Sequence, residues 1–266
     1  MEIIDFHTHP FASERYNICK HIPFCHPSVE DTKTSLQGLG VSKICGSVIS
    51  PSDKKADGSA YANEWERLRE WNDHALSLKE IYGDFYEMGF HIHPDFVDES
   101  CAEIDKMAKL GVKLVGELVP YVNGYSTLAT PQMHEILSYA TQKGMIINIH
   151  TPPNRDDDLD ALVVQNPDAT IIAAHPGDYP TFMRHLQRMK LSERYYLDLS
   201  GTGIFRFGML RRAIDEGGLH RILFGSDFPV CNPSAYIGGV TLDHLLSDEE
   251  KSFVLAKNAK RLLRLP

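Results

Sequence analysis

His7 and His9 stand two positions apart near the start of the chain, and Glu117, His150, His175 and Asp227 follow at wide intervals. Imidazole nitrogens and carboxylate oxygens are the usual ligands of a divalent ion such as zinc, each reaching it at about 2.0–2.2 Å. On an extended segment alternate side chains share one face. His7 and His9 therefore point the same way, about 7 Å apart along the chain, and both can reach one ion. A His-x-His pair alone says little, since a histidine ending a strand, such as His150 or His175, is individually more often a hydrogen-bonded core or rim residue. Asp227 before Phe228-Pro229 has the composition of a turn cap. What raises the six above coincidence is that every one of them falls at the end of a strand-like run, where a closed barrel would gather them at one mouth.

Those runs number eight: residues 2–7, 43–49, 86–92, 112–118, 145–150, 170–175, 195–199 and 221–226 are short, apolar or β-branched stretches, with helical patterns between them. Residues 62–79 carry Trp65, Leu68, Ala75 and Leu78 near helical spacing, and residues 99–110 carry Cys101, Ile104 and Ala108 before Gly111. Thr130-Pro131 opens a helix that Gly144 ends, and Ser247 to Glu250 is a capping box for a last helix running to about residue 263. Repeated strand–helix units without a linker or composition break predict an α/β fold. The expected form is one (β/α)8 TIM barrel, distorted, using residues 1–266 as a single domain, with the metal site at the C-terminal ends of the strands. A doubly wound sheet would offer a glycine-rich phosphate turn, and no G-x-G-x-x-G occurs. His91 and His93 close the third run; His91 is expected to pack inward and His93 to face substrate.

The 266 residues carry 27 Lys and Arg against 36 Asp and Glu, a net charge of −9, which argues against a nucleic acid or an anionic membrane surface as partner. No basic segment precedes a long apolar run at the N-terminus, so neither secretion nor membrane insertion is expected. The five cysteines, Cys19, Cys25, Cys45, Cys101 and Cys231, are odd in number and scattered, as suits reduced thiols in the cytosol. Cys19, His21, Cys25 and His26 form the one tight group; Pro23 interrupts it and zinc-finger spacing is absent, so an ordinary loop is expected.

The runs Ile4-Asp5-Phe6-His7-Thr8-His9-Pro10, Ile149-His150-Thr151, Ala174-His175-Pro176-Gly177 and Leu223 to Pro229 resemble the amidohydrolase superfamily, specifically its aminocarboxymuconate-semialdehyde decarboxylase-like branch. Asn258 to Leu262 is similar to that branch's closing helix. The resemblance spans essentially the whole chain. It implies a distorted barrel with a divalent metal, most often zinc, at its mouth. It also implies His7 and His9 as first-strand ligands, His150 as the fifth-strand ligand, His175 as sixth-strand ligand or supporting group, and Asp227 as eighth-strand ligand and proton shuttle. At the fourth strand many binuclear members carry a carboxylated lysine or a glutamate, whereas mononuclear members of the decarboxylase branch do without a bridge. Here Val115-Gly116-Glu117-Leu118 supplies a glutamate, similar to the Gly-Glu of TatD-like deoxyribonucleases. One or two ions, and a role for Glu117 as bridge or as hydrogen-bond acceptor, stay open.

With such ligands a zinc ion keeps an open position for water, which attacks a carbonyl carbon while Asp227 carries the proton to the leaving group and His175, if not a ligand, steadies the oxyanion. The expected activity is hydrolysis of an amide, lactone or ester bond in a small molecule. The alternative is decarboxylation or hydration of a small carboxylic acid, since the same metal stabilises a carbanion. A metal-storing or regulatory barrel without turnover, and a TatD-type phosphodiesterase, are further classes. Substrate determinants are expected at residues 11–29, at 119–127 with Tyr121 and Tyr125, and after the seventh strand, where Arg206 either pairs with a substrate carboxylate or is a solvated helix-start residue. Gly201-Thr202-Gly203 offers backbone N–H groups to an anion. A homo-oligomer stays open.

Overall fold

The computed structural model describes residues 1–21, 29–151, 155–203 and 206–265. Cys25 and His26 lie outside the described residues, as does part of the first long loop. Eight strands, β1 (Ile3–Asp5), β2 (Val41–Gly46), β3 (Tyr86–Phe90), β4 (Leu114–Leu118), β5 (Ile146–His150), β6 (Thr170–Ala174), β7 (Tyr195–Asp198) and β8 (Ile222–Leu223), form one parallel sheet in sequence order. Helices alternate with them, giving the (β/α)8 arrangement expected from the sequence. Seven of the strands begin inside their expected runs, and β2 begins two residues earlier, at Val41. The first and last are shorter, ending at Asp5 and Leu223.

The shortening has a physical reason. Beyond β1 and β8 the chain pairs across the seam between the sheet's two ends. Phe6 N donates to Phe224 O (2.9 Å), Asp227 N to His7 O (2.8 Å) and His9 N to Phe228 O (2.7 Å), with a parallel bridge between Thr8 and Phe228. The buried Asp5 carboxylate adds a clasp, accepting from Ser226 N at 2.8 Å and from its hydroxyl. His7, His9 and Asp227 therefore sit on the seam, past the strands proper.

Helix starts follow the local chemistry of their caps. Asn63 accepts from Glu66 N ahead of Glu64–Tyr82, Thr130 from Met133 N ahead of Pro131–Gln142, and Asp178 from Thr181 N ahead of Tyr179–Leu191. The Ser247–Glu250 capping box is present, and the last helix runs from Asp248 to Leu263 through a wide turn at Phe253–Lys257. Leu68, Trp71, Ala75 and Leu78 turn one face of the long helix into the sheet–helix layer. A second apolar cluster joins Leu114 and Ile146, at the starts of β4 and β5, to Ala259 and Leu263 of the last helix. This cluster packs the starts of those strands against the last helix. No helix among the described residues is long and apolar enough to cross a membrane.

Candidate metal centre

His7 and His9 leave the seam with both Nδ1 atoms engaged: His7 Nδ1 donates to Asp198 Oδ2 (2.9 Å) at the end of β7, and His9 Nδ1 to the carbonyl of Ser47 (3.1 Å). A proton on Nδ1 leaves the Nε2 lone pair free. Both Nε2 atoms point at Glu117 Oε2, at 3.5 and 3.4 Å, and at Asp227 Oδ1, at 3.8 and 3.5 Å. On the other side of the same carboxylate, Glu117 Oε1 lies 2.9 Å from His150 Nδ1 and 3.5 Å from His175 Nε2. His150 Nε2 meets the Tyr121 hydroxyl (3.2 Å), and His175 Nδ1 meets the Ser200 hydroxyl (3.0 Å). Every one of the four imidazoles has one nitrogen fixed by the protein and the other turned toward Glu117.

Donor atoms from His7, His9 and Glu117, and again from Glu117, His150 and His175, lie within 4.8 Å of one another, close enough for each set to hold a metal ion. Neighbouring ligands of a tetrahedral ion at about 2.0–2.1 Å stand about 3.3 Å apart. The 3.4–3.5 Å separations of Glu117 Oε2 from His7 and His9, and of His9 from Asp227 Oδ1, match that spacing. His7 Nε2 is buried and has no hydrogen-bond partner among the described residues, a cost of about 1–3 kcal/mol for an ordinary polar atom that a bound cation would remove. The residues present fit a divalent metal.

The electrostatics follow from burying opposite charges together. Burial works to lower the His7 imidazole, but Glu117 and Asp198 hold it well above its ordinary value. Burial likewise opposes His9, which hydrogen bonds to Asp227 and Glu117 raise to about 9. Glu117, despite burial that favours its neutral form, is held well below the usual carboxylate range by His7 and His150. Two backbone positions add to the picture. His175 (φ 69°) and Asp227 (φ 63°) are non-glycine residues in the left-handed region, which costs about 1–3 kcal/mol each and is characteristic of functional sites.

The six sequence candidates His7, His9, Glu117, His150, His175 and Asp227 come together at the mouth. A cavity of about 710 Å³ opens over His150, His175 and Asp227, walled also by Thr202, Arg206 and Val230. Arg206 Nη1 donates to Gly177 O (2.8 Å), and its remaining N–H groups are exposed. His93 and Tyr125 are not on this wall; their rings meet edge to face at 5.2 Å, and the buried Tyr125 hydroxyl has no partner among the described residues. His91 is a packing residue, as expected, with Nε2 donating to Val48 O (2.7 Å) and Nδ1 accepting from Asn123 (2.9 Å). The glycines after β7 serve close packing: a Cβ at Gly201 would lie 2.3 Å from His175 Nδ1, and one at Gly203 would lie 2.7 Å from Gly177 O. Sequence reasoning missed Asp198, Ser200 and Ser47. For Asp198 a signal existed, since it is a carboxylate ending the seventh run, the same criterion that selects Asp227.

The Amidohydrolase family model matches residues 4–265. No curated protein matches the chain significantly. Among solved structures, the fold is similar to 2,6-dihydroxybenzoate decarboxylase from Rhizobium (16% identity, 99% of each chain, TM-score 0.72). It is also similar to a dihydroxybenzoic acid decarboxylase from Polaromonas sp. JS666 with bound manganese and 2-nitroresorcinol (15% identity, 99% of this chain and 97% of that one, TM-score 0.71). A third likeness is to a probable 2-pyrone-4,6-dicarboxylic acid hydrolase from Acinetobacter baumannii (16% identity, 100% of each chain, TM-score 0.67). At these identities the likenesses bear on fold alone. The match over nearly all of the sequence decides the family: the chain belongs to the amidohydrolases.

Proposed function

We propose that this protein is a metal-dependent hydrolase that holds two divalent ions, one on each side of Glu117, and opens an amide, lactone or ester bond of a small molecule by attack of water on the carbonyl carbon. The observation that carries this reading is the placement of Glu117, whose Oε2 faces His7 and His9 while its Oε1 faces His150 and His175. His7, His9 and Asp227 would hold one ion and His150 and His175 the other, with Glu117 shared. Bound there, a divalent ion supplies Lewis acidity and brings the ionisation of water into the neutral range. Zinc suits this mixed nitrogen and oxygen donor set, with manganese, found in one fold relative, as the competitor.

The chain's own groups do the rest. Asp227 turns Oδ1 toward the histidines and keeps Oδ2 beside Cys231 at the cavity wall, 3.9 Å from its sulfur. It takes a proton from the attacking water and hands it to the nitrogen or oxygen that leaves as its bond to the carbonyl carbon breaks. Tyr121 orients His150 through its hydroxyl, and its exposed ring is left to face substrate. Arg206, fixed on Gly177 O, offers its free N–H groups to an anionic group of the substrate. The free thiols among the described cysteines agree with a cytoplasmic setting.

Decarboxylation is the second reading, supported by the decarboxylases among the fold relatives and by Arg206 at the wall, where a substrate carboxylate would dock. The test is turnover of lactones, amides and carboxylated aromatics by the zinc- or manganese-loaded protein in ¹⁸O-water. Label in the product acid means hydrolysis, release of carbon dioxide from an unlabelled product means decarboxylation, and no turnover of any substrate by loaded protein contradicts both.

A further inference from the structure

Asp198, at the end of β7, is fully buried and touches both halves of the donor cluster. Its Oδ2 accepts from His7 Nδ1 (2.9 Å), and its Oδ1 accepts from Ser200 N (3.0 Å), from the Ser200 hydroxyl and, more distantly, from the backbone N–H of His175 (3.4 Å). Because a carboxylate only accepts, the hydroxyl proton of Ser200 is committed to Asp198, which leaves the Ser200 oxygen as acceptor for His175 Nδ1–H at 3.0 Å. The chain is therefore directional. One carboxylate places a proton on Nδ1 of His7 directly and on Nδ1 of His175 through one hydroxyl, so both rings present Nε2 lone pairs toward Glu117. The relay needs the turn after β7 to come very close to the His175 ring. Gly201 permits it, with φ +60° and no Cβ to strike Nδ1.

We infer that Asp198 is a positioning residue that couples the two halves of the centre, acting on the His7 ring by itself and on the His175 ring through Ser200. The inference rests on the two-ion reading above and adds to it a specific asymmetry. Loss of the Ser200 hydroxyl disturbs one ion, whereas loss of the Asp198 charge disturbs both. Supporting partners of this kind change metal affinity about 10–100-fold when removed.

The experiment is equilibrium titration of the metal-free protein with Zn²⁺ against a chelating indicator, comparing wild type, Ser200→Ala and Asp198→Asn. Thermal unfolding of each metal-free protein monitors the fold. The expected result is two steps in wild type, about tenfold or greater weakening of a single step in Ser200→Ala, and weakening of both steps in Asp198→Asn. Anomalous diffraction from Ser200→Ala at limiting zinc should then place the retained ion beside His7 and His9. Ser200→Ala is the smaller change and decides the matter if Asp198→Asn does not fold. Two unaltered steps in Ser200→Ala, or equal weakening of both, overturns the inference while leaving the two-ion reading intact. A wild type that binds one zinc or none overturns that reading and this inference with it.

Discussion

His7 and His9 at the mouth and His91 and His185 behind the strands are equally hidden from water, at 3% exposure or less, yet their imidazoles are pushed in opposite directions. Burial above all drives His91 down to about 4, and burial with the Arg188 charge drives His185 down to about 3. Neither has a carboxylate as hydrogen-bond partner: His91 meets a carbonyl and an amide, and His185 the Tyr195 hydroxyl and the Arg188 guanidinium. At the mouth the same desolvation is overcome by Glu117, Asp198 and Asp227. Depth of burial thus says nothing about a histidine's role in this fold; a carboxylate facing its free nitrogen does.

The largest effect that would break this contrast is expected from Glu117→Gln, which keeps the shape of the side chain and removes the charge both histidine pairs face. Turnover of any substrate found should fall by about 10⁴-fold or more, beyond the 10²–10⁴ typical of a single proton-transfer group. Asp227→Asn comes next, with a loss of about 10²–10⁴ in kcat and metal content largely kept; unaltered turnover would remove it from proton transfer. In the core the pattern reverses. His91→Leu strands Asn123 and the Val48 carbonyl and should lower stability by about 2–3 kcal/mol in denaturant unfolding, with metal content unchanged. If metal is lost instead, the two sets of histidines are not distinct.

A pH series sharpens the same point. His91 has a folded pKa of about 4 against an ordinary 6.5, so the unfolded chain takes up the proton first as pH falls. Its contribution is complete above about pH 6.5 and is lost progressively toward pH 4, on the order of 3 kcal/mol at the limit. His91→Leu should flatten that part of the curve relative to wild type. The smallest effect belongs to Arg206→Ala, a few-fold rise in KM with kcat nearly constant, because the side chain is exposed and held by one carbonyl.

The sequence carried the barrel because each strand is a short apolar run, and it carried the six mouth residues because strand ends share one rim. His91 was also legible as a packing residue. What it did not carry depends on contacts between distant residues. The pairing of the β1 and β8 extensions is invisible until both ends of the sheet meet, and it moves His7, His9 and Asp227 off the strands. The link from Asp198 through Ser200 to His175 requires a turn whose closeness only the packing of Gly201 reveals. The contact of the Tyr121 hydroxyl with His150, a partner 29 positions away, is likewise invisible in the sequence.

The central claim is that Glu117 joins two ions through its two oxygens. The most direct measurement is the Mn²⁺ electron paramagnetic resonance spectrum of the protein as the metal is added to two equivalents. The account predicts an exchange-coupled multiline signal that grows in as the second equivalent binds and is absent in Glu117→Gln. A simple six-line spectrum saturating at one equivalent, unchanged by that substitution, would contradict it.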